Sequence, residues 1–295
     1  MAPTVLAPDA RRIVLCADDY GLAPGIGRAV RALVEAGRLG AVGCMSASPD
    51  WPGEAALLKP LDGRVDVGLH FALTGLPPLT DMPHARRGAA PPGLGEIVLR
   101  ALGGGLDGGA VAAEFAAQLD AFEAAFGRPP DFVDGHQHVH QLPVARNAVL
   151  DVLRRRNIAD RLYVRNCSDG LAAMLGQGAG ALRPLAIAAL GLGFRRLLAR
   201  AGIATNPAFR GVRSFSPAED YPALFRHWLA DAPDGTLVMC HPGIADAALA
   251  ARDPVVAARE GEFAFLSGPS AEAALVATGS RIARGAFLYT SGRQA

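Results

Sequence analysis

The stretch "RIVLCADDYGLAPGIGRAVRALVEAG", residues 12–37, decides how the rest of the chain reads. Its first six residues, Arg12–Ala17, form a short apolar run with β-branched Ile13 and Val14, the pattern of a buried strand. An acidic pair, Asp18-Asp19, and Gly21 follow, and then Ile26, Val30, Leu33 and Val34 recur at helical spacing until Gly37. The stretch therefore predicts one strand–turn–helix unit. The same rhythm returns at "AVGCMS" (41–46), "RVDVGL" (64–69), "DFVDG" (131–135), "RLYVR" (161–165), "TLVMC" (236–240) and, as a last strand, "FLYTS" (287–291). A helix is expected from about Val144 to Arg156. Alternation of this kind predicts an α/β fold with a mostly parallel sheet and helical crossovers.

One region breaks the rhythm. Residues 74–109 are rich in Gly and Pro and hold at most one short helix, and a loop of that length in a compact fold usually has a function. With no internal repeat and no shift of composition, the chain reads as one domain, 1–295, with an irregular insertion at about 76–109.

Composition narrows the class. Apolar residues make up 51% of the chain, enough for a sizeable core. Net charge is 29 − 28 = +1 with no basic run, so no nucleic-acid partner is expected. Cys16, Cys44, Cys167 and Cys240 stand far apart, which argues against a zinc knuckle or a disulfide scaffold. The start of the chain lacks the pattern of a signal peptide, and "LAIAALGLGF" (185–194) is too short to span a bilayer. A cytoplasmic protein without a membrane span is expected, and the run leaves a homo-oligomer open.

Four separate strand candidates end in chemistry. "RIVLCA" delivers Asp18-Asp19, "RVDVGL" delivers His70, "DFVDG" delivers His136, His138 and His140, and "TLVMC" delivers His241. The carboxyl ends of parallel strands are where α/β active sites are built, because the following loops converge there. One carboxylate and two imidazoles make a common ligand set for a divalent transition metal, leaving positions open for water and substrate. A neighbouring carboxylate outside the ligand set could then serve as base, because a bound metal lowers the pKa of water from 15.7 towards about 7. Adjacent residues of a strand face opposite ways, so only a turn brings both Asp18 and Asp19 into one pocket, and "DDYG" has turn chemistry. Of the three spaced histidines, one is expected to be a ligand and the others to hydrogen-bond, line the pocket or orient the ligands. Arg165 and Asn166 read equally as substrate contacts or as a structural ion pair. Taken singly, each of these residues has a bland reading as a turn, a strand stop or a satisfied polar group.

These motifs resemble the YdjC-like carbohydrate deacetylase family, which includes chito-oligosaccharide deacetylases. The resemblance rests on "ADDYGLAPGIGRAV" (17–30), "VGLHFALTG" (67–75), "DGHQHVHQLP" (134–143), "CHPG" (240–243) and "DPVVAAREGEFAFL" (253–266), in that order. It implies a distorted (β/α) barrel, TIM-barrel-like, and metal-dependent removal of an acetyl group from an N-acetylated saccharide. By position it implies that Asp19, His70 and His136 bind the metal and that Asp18 is the base. His241 matches a late histidine and is assigned to protonating the leaving amine, as an imidazolium. The cofactor is one divalent ion, Zn²⁺ by ligand softness with Mg²⁺ as the alternative. "SASPDWP" (46–52) and the region 76–109 depart from the family pattern, and loops of that kind usually set substrate choice. The rival readings are another metal-dependent barrel hydrolase, such as a phosphoesterase or cyclic amidohydrolase, often with a second metal or a modified lysine, and a non-enzymatic sugar-binding protein with a closed structural metal. Lys59 is the chain's lone lysine and lies outside every motif.

Overall fold

The computed structural model of the chain describes residues 10–169 and 182–290. Among the described residues eight strands make one sheet: β1 (Arg11–Tyr20), β2 (Ala41–Cys44), β3 (Asp66–Phe71), β4 (Phe132–Gly135), β5 (Tyr163–Val164), β6 (Phe209–Arg210), β7 (Thr236–Cys240) and β8 (Ser280–Ile282). Every pairing is parallel, in the order β5-β4-β3-β2-β1-β7-β6. β8 pairs with the first residues of β1, Arg11–Ile13, below the point where β2 begins its pairing at Cys16. The sheet curls, with helices around it, into a distorted (β/α) barrel.

The side-chain period of two explains how this sheet makes both a core and a site. On β1, Ile13, Leu15 and Ala17 join the large apolar cluster under the helices, while Val14 and Cys16 join a smaller inner cluster. Phe132 of β4, Tyr163 of β5, Phe209 of β6 and Leu237 and Met239 of β7 complete that inner layer. Following each inner face two residues further reaches Asp18, Asp134, Arg165 and His241. Both faces of β2 and β7 are buried throughout, which is why these strands read as unbroken apolar runs. Two glycines are needed for space. A Cβ on Gly68 would lie 2.4 Å from the Phe132 ring, and one on Gly43 would lie 3.0 Å from His70 Nδ1.

The outer layer is amphipathic. The helix Pro24–Glu35 buries Ile26, Val30, Leu33 and Val34. The long helix Gly108–Phe126 starts at Asp107, whose carboxylate accepts the Ala110 N–H at 2.9 Å, and it stacks Phe122 on Trp51 at 5.3 Å. Inside the irregular insertion stands a single short helix, Leu94–Gly103. The apolar run 185–194 lies within the helix Leu182–Ala201, where Phe194 and Leu198 are buried. Among the described residues no helix is long and apolar enough to cross a membrane.

Three sequence expectations need correction. "FLYTS" is not a strand: Gly285–Tyr289 is helical, and the last strand is Ser280–Ile282. The adjacent residues Leu288 and Tyr289 both pack against the inner cluster, which a period of two forbids and a helical turn allows. β3 starts at Asp66 and runs to Phe71, so His70 lies inside the strand rather than beyond it. The helix expected from Val144 starts at Ala145 and ends at Arg155, because Val144 has a left-handed φ of 72° and cannot continue a helix.

Candidate functional site

Asp18 and Asp19 are parted by one backbone feature. Asp19 has φ 68°, and the β1–β2 register shifts between Ala17 and Tyr20, so the strand kinks where the acidic pair stands. A left-handed non-glycine residue costs roughly 1–3 kcal/mol and persists only where its surroundings hold it. Asp19 is held on both carboxylate oxygens. Oδ1 lies 2.8 Å from His136 Nδ1 and 3.3 Å from His70 Nε2, and Oδ2 accepts from Arg259 Nη2 at 2.5 Å. Asp18 meets a different partner altogether: Arg165 grips it with two bonds, Nη1 to Oδ2 at 2.7 Å and Nη2 to Oδ1 at 2.5 Å.

Asp134 ties the two halves together. Its Oδ1 takes the His70 Nδ1–H at 2.6 Å, and its Oδ2 is 2.5 Å from Arg165 Nη2. That bond commits Nδ1 and turns His70 Nε2 towards Asp19 and His136, the usual way a carboxylate orients a ligating imidazole. Asp18, Asp19, His70, Asp134 and Arg165 are each at most 2% exposed. Arg259 also binds Asp253, at 3.0 Å through Nε.

Charge in this cluster does not balance. Four carboxylates (Asp18, Asp19, Asp134, Asp253) face two guanidiniums (Arg165, Arg259), so the arginines alone leave two negative charges to be met by protonated histidine or by a cation. Burial opposes a charge on His70, yet Asp134 and Asp18 outweigh it and push its pKa up to about 10, so without a cation the imidazole keeps a proton on Nε2 that a bound metal would replace. Burial would likewise raise Asp18 and Asp19. Arg165 overrides it for Asp18, and His136 with Arg259 for Asp19, so both carboxyls sit well below the usual range. The donor atoms of Asp19, His70 and His136 lie within 4.8 Å of one another. Separations of 2.8 and 3.3 Å suit ligands on one cation with bonds of about 2.0–2.2 Å. Donor types, spacing and the twofold charge deficit all fit a divalent ion.

A second set, Cys16, Asp18 and Asp134, also converges. Arg165 already sits in its midst, 3.0 Å from Cys16 Sγ and bonded to both carboxylates. The place a second cation would take holds a guanidinium.

The three spaced histidines part company. His136–Gln141 is a 3₁₀ turn in which Gln137 and His138 have φ of 51° and 63°, so the alternation seen in the sequence is not a strand face. His136 turns to Asp19. His138 lies 3.4 Å from Cys167 Sγ and edge-on to Phe209, and it lines the cavity. His140 donates from Nε2 to the Arg165 carbonyl at 3.0 Å and so steadies the residue that grips Asp18. Burial brings His140 down to about 4.

His241 follows β7 into the same cavity, of about 330 Å³, which Asp18, Asp19, His70 and His136 also line. Its backbone N–H donates to Glu262 at 2.5 Å, and its ring meets Phe215 edge-on at 5.0 Å. Burial lowers its pKa to about 4 against the pull of Asp19 and Asp18, so at neutral pH it is neutral imidazole rather than the imidazolium expected from the sequence. Lys59 is exposed at the end of the helix Trp51–Leu58 and takes no part in this cavity. Asn166 is buried against Asn206 and Gly191 and holds loops together.

Sequence reasoning named no role for Asp134, Arg259, Asp253 or Glu262, although all four stand in quoted motifs. Asp134 was within reach, since it shares strand parity with His136. Arg259 was not, because it arrives from a helix 240 residues from Asp19. The two segments that departed from the family pattern meet in one apolar groove, walled by Ser46–Pro52 on one side and Pro77, Pro78 and Leu79 on the other.

The family model for YdjC-like protein matches residues 12–277. A chitooligosaccharide deacetylase of Yersinia pestis (strain Pestoides F) is 33% identical over 151 residues, covering 51% of this chain and 58% of that protein. The same figures hold for its counterpart in Yersinia pseudotuberculosis serotype O:1b (strain IP 31758). The match therefore spans little more than half the length of these curated relatives. Among solved structures, one from Enterococcus faecalis V583, titled as a candidate cellobiose-phosphate cleavage protein, superposes with a TM-score of 0.72 at 17% identity. It covers 95% of this chain and 100% of its own, which establishes the shared fold. The chain belongs to the YdjC-like family.

Proposed function

We propose that this YdjC-like protein is a hydrolase that removes the acetyl group from an N-acetylated sugar, a chito-oligosaccharide or another N-acetylglucosamine-containing glycan or glycolipid. The observation that carries the reading is the separation of the acidic pair: Asp19 converges with two histidines, while Asp18 stands apart on Arg165 and opens onto the same cavity. The curated relatives it matches are chitooligosaccharide deacetylases, which supports the choice of substrate class.

Asp19, His70 and His136 would hold one divalent cation, Zn²⁺ by donor type with Mg²⁺ as the alternative. When bound, it supplies Lewis acidity at the amide carbonyl and makes water a better nucleophile at neutral pH. Asp134 keeps His70 in the tautomer that offers Nε2. Asp18, held ionised by Arg165, accepts the proton of the attacking water. Its depressed pKa makes it a poor resting place for that proton, and His241, at about 4, is the better one. The proton can then pass to the departing amine, the strongest base of the three, so neutral His241 becomes the acid only after the base has acted. The two groups face one cavity and each feels the other's charge.

The bimetallic rival is disfavoured by the guanidinium of Arg165 among Cys16, Asp18 and Asp134, and the modified-lysine version by the position of Lys59. The test is acetate release from a panel of N-acetylated saccharides and glycolipids, with metal per chain counted on the same samples. Asp18→Asn should keep one ion per chain and lose about 10²–10⁴ in turnover, the range for a general base. His136→Ala should lose the ion itself. Two ions per chain, or an Asp18→Asn protein that no longer binds metal, would sink the division of labour.

A further inference from the structure

We propose that Phe215 is the residue that positions the sugar ring, presenting an aromatic face to the pyranose whose acetamide is cleaved. This deepens the deacetylase reading and rests on it. The starting point is a backbone oddity: Phe215 has φ 61°, which for a bulky residue is an outlier that neighbouring contacts must sustain.

Those contacts are dense and lead to the site. The Arg213 guanidinium lies 4.7 Å from the centroid of the Phe215 ring and 5.0 Å from that of Tyr221. Arg213 is itself anchored by Glu262 at 3.1 Å and Glu219 at 3.5 Å. Glu262 also accepts the His241 N–H, so the groups that hold Phe215 and the group that holds His241 share one carboxylate. Ser214 ties the loop down from the other side, donating from N and Oγ to Glu219 at 2.8 and 2.7 Å. An aromatic ring so fixed would be expected in a core. Phe215 is instead half-buried and lines the cavity. The molecule holds an apolar side chain in a strained conformation to keep it at the mouth of a polar pocket.

The chemistry of the substrate supplies a use. In an N-acetylated sugar the amide nitrogen is bonded directly to a ring carbon, so a nitrogen presented to His241 brings the pyranose ring with it. His241 and Phe215 are already edge to face at 5.0 Å. The axial C–H groups of a pyranose make an apolar patch that matches an aromatic face, while its hydroxyls remain free for polar neighbours.

Steady-state kinetics on metal-loaded protein with N,N′-diacetylchitobiose, together with saturation-transfer NMR of the same sugar, test the idea. Phe215→Asn removes the ring with a residue that tolerates a positive φ, and a thermal melt within a few degrees of wild type confirms its fold. Phe215→Tyr keeps the ring. The expected result is KM raised about tenfold in Phe215→Asn with kcat within threefold, near-native behaviour in Phe215→Tyr, and transfer to the pyranose C–H protons lost only in the Asn variant. A fall in kcat at unchanged KM in Phe215→Asn would mean that Phe215 acts through His241 and would overturn the assignment. Unchanged kinetics, or a wild type that shows no transfer to the sugar ring, would overturn it equally. A wild type that shows ring-dependent transfer yet releases no acetate would refute deacetylation and leave the sugar platform standing.

Discussion

The barrel buries charge at both ends, and the two ends differ in their arithmetic. At the amino end of β3, Asp66 is wholly buried with Arg284 Nε at 2.7 Å, the Ala286 N–H at 2.7 Å and the Tyr163 hydroxyl at 3.3 Å. One carboxylate meets one guanidinium and the remaining lone pairs are satisfied by the protein itself. At the carboxyl ends, Asp18, Asp19, Asp134 and Asp253 share two guanidiniums, and all but Asp134 line a cavity. The first arrangement is complete within the chain. The second needs two positive charges beyond its arginines, of which protonated His70 supplies one and a divalent ion both, and that difference separates a structural ion pair from a site built for a ligand.

The largest expected effect comes from removing the cation that joins the halves of the site. Arg165→Leu leaves Asp18 and Asp134 buried without it and should cost about 3–5 kcal/mol in chemical denaturation, with turnover lost. A loss below 1 kcal/mol would show that the carboxylates are far better solvated than their burial implies. Metal addition should come next. Zn²⁺ at one hundred times its Kd should stabilise the wild type by about 2.7 kcal/mol and leave His136→Ala unmoved, as read by thermal melting. Equal stabilisation of both proteins would place the ion somewhere else.

Asp134→Asn should act on affinity rather than fold. With His70 no longer held by a carboxylate, metal affinity should fall 10–100-fold in a competition titration. Asp66→Asn is the smallest change and the control on the comparison. It should leave metal affinity and turnover within twofold of wild type and shift stability by about 1–2 kcal/mol. Its pH dependence has a definite sign. Burial raises the Asp66 pKa despite Arg284, so its contribution to stability is present below the unfolded value of 3.8 and is lost as pH rises through the folded pKa. Asp66→Asn should therefore compare better with wild type at pH 7 than at pH 4. A variant that instead grows relatively worse on going to pH 7 would mean that Arg284 outweighs burial, and the two ends would then be more alike than their geometry says.

Much of the site was legible because strand periodicity is local. Runs such as Arg12–Ala17 and Thr236–Cys240 are apolar because both faces are buried, and the residue after each run must then emerge at the carboxyl end. That reasoning reached Asp18, Asp19, His70, His136 and His241, and the structure gathers all five around one cavity. It mishandled "FLYTS", where a β-like composition sits in a helix, because tertiary packing of Leu288 and Tyr289 overrides local propensity. It expected separate roles for histidines 136, 138 and 140, and the 3₁₀ turn sends each to a different partner.

The order of residues along the chain determined which side chains could share the inner face of a strand, since alternation is a property of the extended backbone itself. Only the folded chain decided who meets whom. The left-handed kink at Asp19, the reach of Arg259 across 240 residues, and the bridge from Asp134 to both His70 and Arg165 depend on register and curl, and these follow from the packing of all eight strands at once.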